Sequence, residues 1–516
     1  MIAVVFFTII ALSIGVAMAA RRGGTARGPL ATLIAGRSLP GWLIFFLAVG
    51  EIYSVGTMLG FPGGIYAKGA SYGVWFIGYI LLGYIFGYFL APLVWRAGKA
   101  YNAVTVPDVM FGHYGSRALE KLAAFAFVLA LLPWAVFQFV GLQTVLSGLG
   151  LPLNRFGIIV GSAVIAFLYV AISGMRSTAF VAIVKDLFMF LGITLAGIVA
   201  VIAAKGVPGV FEEVVTTRPE MTTVTGGALV FAMSTIFVQS IQFYLTFPAQ
   251  FLFSAKSEGS IKKSVVWMPS YMLMYPLLVF AAYYGITHAP NLENPDGIFL
   301  AVTRDLAPEW IVGLVAAGAG LSALIVLAGN SLMFGGVLTR NLVPAMSKSK
   351  SSHGVKLVMG LFLVVTATLS TFTSSIMLTF LNLALALTAQ LVPAWFGVMF
   401  FRKFTAPALS AGLVVGCAMV TFFYFTKLVP GNVNTGLIAL AVNLSVVVVL
   451  SMVFKGGRSK HEPVAMRAKE ILGSVSEGGN AGEQGADPGQ GAEQGPDKDA
   501  GKVKVSSGGS IMDGEG

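Results

Sequence analysis

The sequence predicts an all-α, polytopic membrane protein with about thirteen transmembrane helices, and three observations predict it. Its 516 residues are 56% hydrophobic and only 11% charged, with a mean hydropathy of +0.84. Apolar runs of roughly 20 residues, the length that crosses a bilayer as a helix, recur along most of the chain. Basic residues collect in alternate loops, as the positive-inside rule requires of cytoplasmic segments. The same rule accounts for the formal net charge of +11, so nucleic acid is not expected as a partner and a lipid bilayer is.

The first span, about 2–20, ends in Ala17-Met18-Ala19, which resembles a signal cleavage site. No Lys or Arg precedes it, however, while Arg21, Arg22 and Arg27 follow it, so it reads as a retained helix with its N-terminus outside. Further spans fall at about 41–65, 71–95, 122–147, 157–173, 179–203, 227–253, 264–287, 311–338, 354–373, 375–400, 406–426 and 433–454. With this orientation basic residues favour the cytoplasmic loops by about three to one, and the opposite loops hold most of the acids. From Lys455 the composition turns to Gly, Ser, Glu, Gln, Asp and Lys, so 455–516 is expected to be a disordered cytoplasmic tail. The layout is then an N-terminal helix and loop over 1–40, a core over 41–400, flanking helices over 401–454 and the tail.

The second span is interrupted. The run from Trp42 to Val49 is long enough for half a crossing, and Gly50 to Gly64 holds five glycines, among them Gly56 and Gly60, one proline, Pro62, and the carboxylate of Glu51. In hydrocarbon every peptide group needs a partner, so irregular backbone survives only inside protein or around a water-filled cavity. Freed carbonyls there can hold a cation, and the following helix N-terminus can face an anion. The other reading is a packing helix whose glycines let a neighbour approach. Glu51 favours a site, since a carboxylate within a span costs about 2.5–3.5 kcal/mol on insertion scales. A carboxyl withdrawn from water also favours its neutral form, which suits Glu51 to loading and releasing a proton.

Other polar residues within spans are few. Lys185 and Asp186 read either as an interfacial anchoring pair or as an ion path, and Gln138 and Gln143 as interhelical glue or solute contacts. Pro248 interrupts the 227–253 span by removing a donor, five spans after the first break, which suits paired discontinuous helices with a solute between them. Cys417 stands alone and the four histidines lack ligand spacing, so neither an enzyme nor a cofactor is expected.

Several motifs then occur in order: Gly36-Arg37-Ser38-Leu39, Gly60-Phe61-Pro62-Gly63-Gly64, Val106-Pro107-Asp108, Tyr114-Gly115-Ser116-Arg117, Ser173-Gly174-Met175-Arg176, Ser254-Ala255-Lys256-Ser257 and Leu338-Thr339-Arg340-Asn341. Over about 36–397 the chain resembles the sodium:solute symporter family, and most of all its bacterial monocarboxylate branch. The resemblance implies a leucine-transporter-type core of two inverted five-helix repeats, about 41–204 and 227–400, with discontinuous helices. It implies cation:solute symport of a small organic solute, a monocarboxylate or an amino acid, in the bacterial cytoplasmic membrane, by a chain functional as a monomer. Candidate solute contacts are Tyr53, Ser54, Thr57, Gln138 and Gln242.

The family's sodium ligands map onto the carbonyls of Gly50 and Tyr53, and its hydroxyl ligands onto Gly335 and Gly336, which have none. Its acidic neighbours map onto Ile52 and Ala182, with Glu51 one place earlier and Asp186 one turn on. Between Na+ and H+ as coupling ion, these departures favour a proton carried by Glu51. The alternatives are sodium coupling on the same fold, or a solute sensor without transport.

Overall fold

The computed structural model describes residues 1–22, 40–172, 175–343, 353–372 and 377–473. The Gly36-Arg37-Ser38-Leu39 and Ser173-Gly174 motifs, and the tail beyond Gly473, lie outside the described residues. Contacts divide the chain into two units, Met1–Ala468 and Lys469–Gly516; everything below concerns the first. Among the described residues it is all-helical apart from one bridge between Thr405 and Arg458. Among the described residues nine helices are long and apolar enough to cross a membrane, two bent pairs are each long enough to count as a further span, and two shorter apolar helices cover Arg155–Ala171 and Lys356–Thr371.

The centre is α15 (Glu309–Val337), in the chain-order numbering used throughout, which is almost entirely buried from Ile311 to Val337. An apolar helix without a polar face needs neighbours all round, and its small residues admit them closely. A side chain at Gly318 would lie 3.1 Å from the backbone of Phe188 and Met189 in α8 (Met175–Ala203). One at Gly320 would lie 2.8 Å from the Phe6 ring of α1 (Ile2–Arg22), so the first span is a packed part of the fold.

The second span forms α2 (Gly41–Ile52) and α3 (Phe61–Lys68), inclined at 43°. The helix stops at Tyr53 (φ −94°, ψ 77°), and a wide π-type turn over Gly56–Gly60 leads directly into α3, with Pro62 in its first turn. The packing reading of the glycines holds here as well. A Cβ at Gly56 would sit 2.2 Å from the Phe137 ring of α6 (Arg117–Gly148), which therefore touches the unwound turn.

In the 227–253 span, α10 (Gly226–Gln242) ends before Pro248, and α11 (Phe247–Leu252) begins with it. The interruption is therefore Phe243–Thr246, and Pro248 opens the second segment rather than breaking the first. A third break, unexpected from the sequence, bends α17 (Met377–Ala389) against α18 (Val392–Met399) by 41°. Sequence reading also passed over α5 (Val106–Tyr114), capped reciprocally by Thr105 and Asp108, and α14 (Ile298–Leu306). Neither crosses a membrane, and hydropathy is blind to both.

The expected disordered tail needs a correction at its start. Ala406 N–H donates to Gly457 O, Val464 N–H to Val398 O, and the Ser459 hydroxyl to His113 O, so this stretch is strapped to the helix ends. The buried Val464 and Ser459 supply what the low-complexity composition hid.

Candidate functional site

The family-like motifs at helix ends do not form the site; they brace it. Asn341 Nδ2 donates to Asp108 Oδ1 (2.7 Å) and Glu120 Oε1 (2.9 Å), and its own Oδ1 accepts from Thr105 Oγ1 (2.8 Å). Arg340 reaches Asp108 and Arg117 reaches Glu120. The half-buried Asp108 and the buried Glu120 thus each have a charged donor, which is the condition for withdrawing a carboxylate from water at all. The brace fixes the end of α15 to α5 and α6.

Between the first and second interruptions lies a small cavity of about 30 Å³, room for a water molecule or two. Glu51, Trp134, Gln242, Thr246, Phe247 and Pro248 are among its lining. The two broken segments, far apart in sequence, therefore share one space. Glu51 is 4% exposed, accepts from Trp134 Nε1 (3.1 Å), and has Oε2 3.5 Å from where a Gly329 side chain would begin. A side chain at Gly329 would thus begin in van der Waals contact with this carboxyl. Gln242 Oε1 accepts from Thr246 Oγ1 (2.9 Å) and Thr388 Oγ1 (3.1 Å), whereas its Nε2 has no protein partner among the described residues. A fully buried amide with an uncommitted donor beside a cavity is equipped to bind an acceptor.

The unwound turn is held by a different set of groups. Lys185, fully buried, donates from Nζ to the Tyr53 carbonyl (2.9 Å) and contacts Asp186 Oδ1, while Tyr271 OH donates to Asp186 Oδ2 (2.9 Å). Of the two readings of Lys185 and Asp186, interfacial anchoring does not fit: both are buried, and each serves as the other's counter-ion. The sequence signal available was their position in the same span as an apolar stretch on both sides. Gly50 faces Ala182, whose Cβ is 3.3 Å from where a Gly50 side chain would begin, and Ile325. The position at which the resemblance places an acidic neighbour is therefore beside the break, and here it is apolar.

The remaining candidates are placed as follows. Tyr53 OH pairs with Tyr84 OH (2.6 Å) and its ring stacks on Tyr271. Ser54 Oγ accepts from Gly56 N–H (3.2 Å), satisfying a donor freed by the break, and Thr57 Oγ1 meets Tyr275 OH (3.3 Å). Gln138 is fully buried on α6 with neither amide atom partnered among the described residues. Gly335 O accepts from Thr339 Oγ1 (2.7 Å), and Gly335 and Gly336 are buried near the end of α15. Of the solute candidates only Gln242 lines the cavity; Trp134 and Thr246 line it without having been singled out.

The sodium:solute symporter family profile matches residues 33–421. An uncharacterized symporter of Bacillus subtilis, YhjB, is 26% identical over 88% of this chain and 98% of its own length. A monocarboxylate transport permease protein of Rhizobium johnstonii is 28% identical over 81% of this chain and 89% of its own. Among solved structures, a Na+-coupled sialic acid symporter in a substrate-bound outward-open state superposes with a TM-score of 0.69 at 15% identity, covering 89% of this chain and 99% of that one. At that identity the likeness speaks for the fold alone, the leucine-transporter type with its discontinuous helices. These proteins are transporters rather than enzymes, and with a profile match over most of its length this chain is a member of the sodium:solute symporter family.

Proposed function

We propose that this protein is a secondary active symporter that accumulates a small monocarboxylate with protons loaded at Glu51. The observation that carries the choice of ion is Lys185 Nζ, 2.9 Å from the Tyr53 carbonyl. That carbonyl is where the resemblance places sodium, and an ammonium already holds it. Two unit positive charges about 4 Å apart repel by roughly 4 kcal/mol at an effective dielectric near 20. Asp186 offsets part of this, but both its oxygens are engaged by Lys185 and Tyr271. A hard cation compensates such repulsion with several oxygen ligands. The positions that would supply hydroxyls are Gly335 and Gly336.

Glu51 then carries the transported charge. It lines the same cavity as Gln242, so one opening of that cavity exposes solute and proton sites together. The name of the Rhizobium relative supports the solute class, and the Gln242 amide supplies a donor for a carboxylate. The proposed setting is the bacterial cytoplasmic membrane, with the N-terminus outside and the Arg340 end of α15 inside.

Uptake of lactate into proteoliposomes under an imposed pH gradient, and separately under a sodium gradient, tests the reading. Proton-driven accumulation that Glu51→Gln abolishes is expected. Accumulation driven by sodium alone, intact in Glu51→Gln, overturns the choice of ion. Lactate bound without flux under either gradient turns the reading to a sensor.

A further inference from the structure

Beyond the cavity, α11 and the turn after it carry buried polar side chains without a protein partner among the described residues. Gln250 and Ser254 are fully buried, and neither amide atom of Gln250 nor the Ser254 hydroxyl has a protein partner among the described residues. They follow Gln242 and Thr246 at intervals of four, so the cavity-lining polar positions continue along the chain away from the cavity. Asn330 on α15 is fully buried with both amide atoms equally unpartnered. A Cβ added at its neighbour Gly329 would lie 3.3 Å from the Phe251 ring and 3.5 Å from Glu51 Oε2. Buried polar groups are nearly always paired, and an unpaired one loses its hydration for nothing. Three such residues, on two stretches of chain that meet at Phe251 and Gly329 beside Glu51, call for a state in which they are used.

The same path is shut farther on. Trp95 Nε1 donates to Ala255 O (3.0 Å), the Phe253 ring lies directly against Gly98, and Glu258 binds Arg96 and Lys262. We infer that Gln250, Ser254 and Asn330 form a second polar station, on the side of Glu51 that leads to Arg96 and Glu258, which a small carboxylate and its water occupy on leaving the central cavity. The inference rests on the transport reading above for its cargo, but the route itself does not. Two primary amides and a hydroxyl offer donors to a carboxylate without a fixed positive charge that would trap it. The station suits passage rather than storage.

Ser254→Cys in a Cys417→Ser background, reconstituted and exposed on the Arg96 face to a small membrane-impermeant thiol reagent, tests the route. Labelling at least about tenfold faster than at Ser322→Cys, a fully buried site on α15 whose hydroxyl is already bonded to Gly318 O, is expected, and added lactate should change the rate. Equal rates at the two sites overturn the route. Gln250→Leu removes the unpartnered amide without breaking any protein hydrogen bond and should fold. It should keep lactate affinity, by thermal shift, within about twofold while slowing flux about tenfold, as loss of one hydrogen bond on a path predicts. Unchanged flux in this variant overturns the station. If wild-type protein neither binds nor carries lactate while Ser254→Cys still labels, the substrate reading fails and the route stands.

Discussion

The two interruptions that share the cavity are built from opposite materials. The first is charged: Glu51 on the cavity, and the Lys185–Asp186 pair fastened to the freed Tyr53 carbonyl. The second is neutral: Gln242 Oε1 accepts from the hydroxyls of Thr246 and Thr388, with Leu245 N–H and Ala249 N–H returning to Gln242 O and Thr246 O. The second break closes its own peptide bonds through tight turns, whereas the first leaves a carbonyl for a distant side chain to bind. A break that satisfies itself presents side chains to a ligand. A break that does not becomes an ion site, and here the ion is covalently tethered.

Four substitutions or conditions probe that contrast, and the largest effect is expected at Glu51. Glu51→Gln should reduce proton-driven lactate accumulation to the level of empty vesicles while leaving exchange down no gradient; accumulation equal to wild type would remove Glu51 from coupling. Next, Lys185→Met leaves Asp186 as a buried carboxylate without its counter-ion, a loss of about 3–5 kcal/mol. A fall in unfolding temperature in detergent, largely restored in Lys185→Met/Asp186→Leu, is the expected pattern; a single variant as stable as wild type would deny the tether its role.

A control away from both breaks follows. Burial, with the charges of His461 and Arg467 nearby, holds the His113 imidazole down to about 4 from an ordinary 6.5. The unfolded chain therefore takes up the proton first as pH falls. Stability fully present above about pH 6.5 should decline toward pH 4 by up to about 3 kcal/mol, read as a falling unfolding temperature that His113→Gln flattens. The smallest effect belongs to the second break: Gln242→Leu should raise the KM for lactate about tenfold, near 1.4 kcal/mol, without changing the ion dependence. A change of ion dependence there would mean that the two breaks do not divide the work as their chemistry suggests.

Hydropathy and loop charge exposed the membrane class and nearly every span, because a bilayer imposes the same length and polarity on each crossing. The first break was visible for a related reason: glycines, a proline and a carboxylate are costly at that depth unless something uses them. Other features were invisible. The third break at Gln390–Leu391 carries little more than Pro393 as a signal, and α5 and α14 are too short to register. Lys185 kept an interfacial reading beside that of an ion path because a lysine near a span end ordinarily extends to the headgroups. Only the position of the Tyr53 carbonyl, 132 residues earlier in the chain, tells where it goes.

By itself the sequence determined that the chain crosses a membrane many times, that its second crossing is broken, and that an acidic residue stands at the break. Those follow from transfer free energies that each residue carries wherever it is. Tertiary structure alone decided that Gln242 shares a cavity with Glu51, that Ser54 and Thr57 face backbone and tyrosine, and that an ammonium holds the carbonyl mapped to sodium. A partner is a matter of distance between remote segments, and no local property of either segment encodes it.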